Sequence, residues 1–378
     1  LLAGQLPFET DDALEMIHSH LARTPVPLSE INSDIPLPLS DIVLKLLAKD
    51  TDDRYQSAEG LQADLQHCLA QVPISGRVET FELGRHDFAS RLQIPHKLYG
   101  RQSEVDHLLS AFDRVSQGET SLLLVAGYSG VGKTALVHEI TRPVALKRGF
   151  FVEGKFDQFQ RRVPYFAWGQ ALGELVQQWL TESSSRLDDL KSTILSAVGL
   201  NGQVLVNLIP NFDRIVGPQP DVPKLDGIEA QNRFNYVLQR FIRAVATPDN
   251  PLVVFLDDAQ WIDQASVDLL RTLVCDPDSA DLLVIAAYRD NEVDATHRLS
   301  LALNSMRKSE CAIDQLDLAS LTLEMVNDLL SDTTRSPARR CLPLAQLVHD
   351  KTDGNAFFAH QLLHEVEDAG LLTLDRDS

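Results

Sequence analysis

The chain has 378 residues, enough at roughly 150 residues per domain for two or three domains and too many for a single small module. With 34 Lys and Arg against 54 Asp and Glu the formal net charge is −20, and 44% hydrophobic with 23% charged residues is the balance of a soluble globular protein, not a disordered one. An acidic surface repels phosphate polyanions and no basic patch offsets it, so no nucleic-acid partner is expected.

The longest apolar runs, Leu252 to Leu256 and Leu282 to Ala287, fall far short of the roughly 20 residues that span a bilayer. No membrane segment is expected. The chain opens at Leu1 inside an apolar pattern, without an initiator Met or the series of a signal peptide, and reads as a piece of a longer protein. Cys68, Cys275, Cys311 and Cys341 lie far apart and form no C-x-x-C pair. That suggests neither a zinc knot nor a disulfide framework, and points to a reducing cytoplasm.

In chain order, residues 1–72 carry helical periods that predict three short helices. Their faces are Leu14, Ile17 and Leu21, then Ile42, Val43, Leu46 and Leu47, then Leu61, Leu65, Cys68 and Leu69. Ser40 and Ser57 stand where they can cap the second and third. The stretch Pro25 to Pro38 reads as an extended connector. Residues 73–96, with Pro73, Gly76, Gly84 and Pro95, read as a linker. Gly100-Arg101 then reads, on spacing alone, as an ordinary helix entry capped by Ser103, ahead of a face of Val105, Leu108, Phe112 and Val115.

From there strands alternate with helices, which predicts an α/β fold with a parallel sheet covered on both faces. The strands expected are Ser121 to Ala126, Gly149 to Lys155, Leu252 to Asp257, Leu282 to Tyr288 and Ala312 to Leu318, each apolar enough to be buried on both sides. Between the second and third lie helical stretches, Ala167 to Leu180 and Glu229 to Ala246, with Trp168 and Trp179 as buried anchors. Residues 97–320 are thus read as one α/β domain and 321–378 as the start of a helical subdomain or lid. Its last helix is expected to bury Phe358, Leu362, Val366 and Ala369 and to stop at Gly370.

The strongest chemical signal is Gly127-Tyr128-Ser129-Gly130-Val131-Gly132-Lys133-Thr134, a full G-x-x-x-x-G-K-T between a strand and a helix. Its glycines let successive N–H groups of Gly127, Ser129, Gly130, Val131 and Gly132 curl around a phosphate, and the helix that follows adds its positive end. Lys133 would hold the β and γ phosphates of ATP and Thr134 would ligate Mg²⁺. The apolar strand ending in Asp257-Asp258 supplies the acidic partner, with Asp257 at the Mg²⁺ and Asp258 placed to orient or deprotonate water. Arg289, after the fourth strand, can reach the γ-phosphate from the crevice of an open sheet, or can form a surface ion pair with Asp290 or Glu292. Asp350-Lys351-Thr352-Asp353 departs from the guanine-reading N-K-x-D, and no histidine spacing such as H-E-x-x-H points to catalytic zinc.

These blocks, with Leu98-Tyr99-Gly100-Arg101, Asp257-Asp258-Ala259-Gln260-Trp261 and Tyr288-Arg289-Asp290-Asn291-Glu292, resemble the AAA-type ATPase domain of STAND signalling proteins. Gly154-Lys155-Phe156-Asp157-Gln158-Phe159 and Glu229-Ala230-Gln231-Asn232-Arg233-Phe234 sharpen the likeness to the ATPase module of large bacterial, cyanobacterial-type multi-sensor serine/threonine kinases. The resemblance implies that residues 1–72 are the end of a kinase C-lobe, with Arg54 in the place of the arginine that pairs with the activation segment. The kinase's own catalytic motifs are absent from this chain. It also implies that Gly100 and Arg101 lie beside the adenine, and that a lid motif Gly-x-Pro stands here as Gly354-Asn355-Ala356. The expected activity is slow ATP hydrolysis coupled to a conformational switch, with the parent's other domains as partners. The competing expectation is a non-hydrolysing switch or scaffold with a nucleotide-dependent homo-oligomer.

Overall fold

Apolar runs without polar alternation suit strands covered on both faces. In the structure, a computed structural model, β1 (Thr120–Gly127), β3 (Leu252–Asp257) and β4 (Leu282–Tyr288) are such runs, buried almost throughout. They form the centre of a five-stranded parallel sheet whose edges are β2 (Phe150–Lys155) and β5 (Ile313–Leu318), in the order β2-β3-β4-β1-β5. The structure describes residues 2–371 apart from 11–12, 22, 52, 76–77, 86, 88–93, 96, 161–162, 310, 335 and 370. The chain divides into an α/β unit, 101–320 with 12–14, and a helical unit, 1–11, 15–100 and 321–378.

The expectation of burial on both faces fails at the two edges, where β2 alternates between buried and half-exposed positions and β5 exposes Gln315 and Asp317. An edge leaves main-chain groups unpaired, and at β2 the helix Phe166–Trp179 meets them with side chains four residues apart. Gln170 Oε1 accepts from Lys155 N–H (3.0 Å), Glu174 Oε2 from Glu153 N–H (2.8 Å), and Gln178 Nε2 donates to Phe151 O (2.9 Å). The approach is close because residue 154 is glycine: a β-carbon there would run into the carbonyl of Ala167. Below this contact Trp168 and Trp179 are fully buried, the latter edge-on to Phe150 and Phe241 (both 6.1 Å). The second long helix, Gly227–Val245, buries Val237, Leu238, Phe241, Ile242 and Val245 at helical spacing.

Cys275 and Cys311 correct the cysteine reading: they are disulfide-bonded, with Cα atoms 5.1 Å apart. Their 36-residue separation in sequence hides that the end of helix Gln264–Val274 and the approach to β5 meet in space. Closing a loop of that length restricts the unfolded chain by about 3–4 kcal/mol. Reduction, or Cys275→Ser, is therefore expected to lower the unfolding midpoint of the α/β unit by several degrees in a thermal melt, with no change for Cys68→Ser.

In the helical unit the Pro-rich connector contains a short helix, Leu28–Ile31, and the next, Leu37–Leu46, starts before Ser40. Ser40 is thus inside a helix, fully buried, accepting from Ser29 N–H (3.3 Å), and is no cap. Ser57 does cap, its Oγ accepting from Gly60 N–H (3.0 Å) at the start of Ala58–Ser75, a helix that runs into the segment read as linker. That helix buries Gly60, Asp64 and Cys68, while Leu65 and Leu69 are exposed. Asp64 belongs inside because Gly84 N–H bonds its carboxylate (2.7 Å). Of the first expected face, Leu21 is exposed and the side chains of Leu14 and Ile17 lie outside the described part.

The helices Leu323–Thr334, Ala338–Thr352 and Ala356–Asp368 share a core of Tyr99, Val326, Leu330, Ala345, Val348, Ala359 and Leu363. The last helix is thus rotated from the expected face: Ala359 and Leu363 are buried, Phe358 is exposed, and Gly370 lies outside the described residues. Ala356 occupies its first position, where a proline would also fit. Asn355 caps it, accepting from Phe357 (3.1 Å) and Phe358 (3.4 Å) N–H.

Candidate functional site

Because all five strands are parallel, their C-terminal ends share one rim, and Gly127, Lys155, Asp257 and Arg289 emerge there. After β1 the phosphate loop turns with Gly130 (φ +81°) and Gly132 (φ +102°) in the left-handed region that side chains resist. The helix it enters, Lys133–His138, is only six residues long. Lys133 is buried, and its ammonium donates to the carbonyls of Gly127 (2.7 Å) and Tyr128 (2.8 Å), bracing the loop from within. Burial pushes its pKa down, against the pull of the Asp257 and Asp258 charges.

Thr134 Oγ1 donates to Asp257 Oδ2 (3.4 Å), so a hydroxyl from the helix after the phosphate loop and a carboxylate from the end of β3 converge. Two hard oxygen donors suit Mg²⁺. Ser129 and Tyr128 stand exposed at the loop's outer surface, and Val131 is buried beneath it.

Asp258 is buried and adopts φ +53°, an uncommon conformation for a side chain with a Cβ and one concentrated at functional sites. Both carboxylate oxygens are engaged. Oδ2 pairs with Lys155 Nζ (2.8 Å), and Oδ1 accepts from Gln260 Nε2 (2.8 Å) with Arg289 Nε 3.8 Å away. Lys155 reaches Asp257 Oδ2 as well (3.5 Å), because the β2–β3 register sets the two residues side by side. Burial alone would push the Asp258 carboxyl up. The hydrogen bonds of Lys155 and Gln260 and the charges of Lys155 and Arg289 outweigh it and hold the pKa below the ordinary carboxylate value. Lys155 is shifted up in return, chiefly by its bond to Asp258.

Of the two readings of Arg289, the ion pair with Glu292 (2.8 Å) is formed in the structure. The guanidinium also lies over the Trp261 ring (5.4 Å) and faces Asp258. Arg101, at the start of helix Gln102–Val115, turns its guanidinium to Glu104 (3.2 Å) and to the Ala319 carbonyl, fastening that helix to the end of β5. No side chain caps this helix; Ser103 lies inside it and bonds Glu104 (2.6 Å). In the helical unit Gly100 has φ +65°, with Met325 packed against it.

Lys155 and Gln260 were visible only as members of quoted sequence blocks. No local pattern assigns them to the site; the strand register and the turn after β3 do. A cleft of about 490 Å³ opens beside Lys155, lined by Thr134, Lys155, Gln170, Glu174, Phe255 and Asp257 among others.

A glycine loop after the first strand and a carboxylate pair after the third, in a 2-3-4-1-5 parallel sheet, define a P-loop nucleoside triphosphatase fold. Residues 97–285 match the AAA ATPase domain family, and the chain belongs to it. The chain is 32% identical, over an alignment 455 positions long with its gaps, to hybrid signal transduction histidine kinase G of Dictyostelium discoideum, covering 98% of this chain and 13% of that protein. It is 40% identical over 65 residues to the serine/threonine-protein kinase PknB of Mycolicibacterium smegmatis, which is 17% of this chain and 10% of the kinase. Among solved structures, Cdc6p from Pyrobaculum aerophilum aligns with a TM-score of 0.43 at 16% identity, over 74% of this chain and 65% of that one. The chain therefore spans a small part of the curated relatives it matches. No described helix is long and apolar enough to cross a membrane.

Proposed function

We propose that this chain is the nucleotide switch of a multi-domain signalling kinase, binding MgATP at the phosphate loop and hydrolysing it slowly. The observation that carries the reading is the double engagement of Asp258, whose two oxygens are held by Lys155 and Gln260. The pairing with Lys155 depresses the pKa and makes the carboxylate a weak proton acceptor, which favours long-lived bound states over rapid turnover, while the bond to Gln260 fixes its direction toward water. Lys133 and the loop amides hold the phosphates, and Arg289 meets the charge that develops on the γ-phosphoryl group. Thr134 and Asp257 would hold Mg²⁺, which supplies neutralisation of the phosphate oxygens when bound. ATP is the nucleotide proposed because residues 97–285 match the AAA ATPase domain family, and Asp350–Asp353, which closes a helix, gives no reason to propose GTP instead.

The finer assignment, a STAND-type module of a signalling kinase, is supported by the two kinase relatives and by the sequence blocks. In it residues 1–72 are the end of a kinase C-lobe, 73–96 a linker, 97–320 the ATPase domain and 321–378 the lid that responds to nucleotide. Gly100 and Arg101 frame the adenine side, and the partners are the parent's other domains. The test is MgATP and MgGTP binding by calorimetry on the 378-residue chain, followed by single-turnover phosphate release. Tight, Mg²⁺-dependent ATP binding with slow release is the expected result. A folded chain that binds neither nucleotide overturns the reading.

A further inference from the structure

We infer that Gln260 is the positioning residue of this site: its side-chain amide ties the Asp258 carboxylate to the main chain of Arg289, so that the two groups facing the γ-phosphate move as one piece. The inference rests on the nucleotide-site reading above and adds a residue to it.

Gln260 is buried in the short turn Ala259–Trp261, which Trp261 N–H closes onto the Asp258 carbonyl (3.0 Å). Its Nε2 donates to Asp258 Oδ1 (2.8 Å) and its Oε1 accepts from Arg289 N–H (3.2 Å). One neighbour can only accept and the other can only donate, so a single orientation of the amide satisfies both. Asn is a methylene too short to span the gap, and Glu brings no donor unless protonated.

The main chain of Gln260 is fixed as well. His297 Nδ1 accepts from Leu299 N–H (3.2 Å), which leaves Nε2 to carry the hydrogen and donate to Gln260 O (3.0 Å). Trp261, the next residue, packs under the Arg289 guanidinium. Gln260 is thus held on one side by the segment after β4 and on the other holds the carboxylate after β3. Both of these side-chain bonds of Gln260 run to the strand-end segments after β3 and β4. Its loss should therefore act on the chemical step and spare nucleotide affinity.

The experiment compares Gln260→Leu and Gln260→Glu in the 378-residue chain, each shown by thermal melt to be folded, using MgATP affinity, single-turnover phosphate release against pH, and the ¹⁵N–¹H resonance of the Arg289 amide. Gln260→Leu is expected to bind MgATP within about twofold of the unsubstituted chain and to release phosphate about tenfold or more slowly. In Gln260→Glu two carboxyls meet and share a proton. Such a protonated Glu can still donate to Asp258, so release should approach the unsubstituted rate at the acid end of the profile and fall as pH rises, a limb that a merely structural role would not create.

Two variants with unaltered rates and pH profiles, in a chain that binds and hydrolyses ATP, would overturn the inference and leave the functional reading intact. If the unsubstituted chain binds or hydrolyses no ATP, the functional reading fails instead. The Arg289 amide then decides this point: Gln260→Leu removes the Oε1 acceptor and must shift the Arg289 ¹⁵N–¹H resonance, and an unmoved resonance sinks it.

Discussion

Lys133→Ala is expected to weaken MgATP binding by about a hundredfold or more, a loss of about 3 kcal/mol. The size follows from where the ammonium sits. Lys133 is 9% exposed, and burial has already pushed its pKa down, so a phosphate reaching it meets a cation short of water and poorly screened. Charge-assisted bonds formed there are about twice as strong as neutral ones. Without nucleotide the same ammonium donates to Gly127 and Tyr128 carbonyls, so the substitution also unbraces the loop. The two effects separate by experiment: a melt of the nucleotide-free protein reads the bracing, and calorimetry with MgATP reads the phosphate contact. Retained affinity in a folded Lys133→Ala protein would move the nucleotide away from this loop.

The sheet was legible because its central strands are runs of Leu, Val, Ile and Ala with no polar interruption. Ser121 to Ala126 became Thr120–Gly127, and Leu252 to Asp257 and Leu282 to Tyr288 fell on the expected residues. The phosphate loop was legible for a related reason, since its chemistry sits in contiguous residues. What was not legible depends on contacts between distant segments. Lys155 is an exposed lysine at the end of an edge strand, and only the register with β3 sets it against Asp257 and Asp258. Cys275 and Cys311 are paired only once β4 and the helix Arg298–Lys308 have folded between them. The helical faces failed differently. Gly60, Asp64 and Cys68 bury as a stripe of one small residue, one hydrogen-bonded carboxylate and one thiol, which an apolar period passes over in favour of Leu65 and Leu69.

Asp258→Asn separates an ATPase from a switch that never turns over. The carboxylate is ionised across the neutral range because Lys155, Gln260 and Arg289 favour the charged form over the cost of burial. Its folded pKa lies below its unfolded value, so its contribution to stability is present above the unfolded pKa and lost as pH falls through the folded one. An asparagine accepts at one atom only, and turns an N–H toward either Lys155 or Gln260, both donors. Water loses its orienting carboxylate while Lys133, Thr134 and the loop amides stay in place. Phosphate release is therefore expected to fall about 10²-fold or more, with MgATP affinity kept within about threefold. Lys155→Met acts in the opposite sense. It frees Asp258 Oδ2 and removes the strongest hydrogen bond holding the pKa down, so release is expected to rise several-fold. Slower release in the first variant with faster release in the second would identify Asp258 as the water-orienting group and Lys155 as its restraint. Unchanged release in both, with tight binding retained, would mean that bound nucleotide alone sets the conformation.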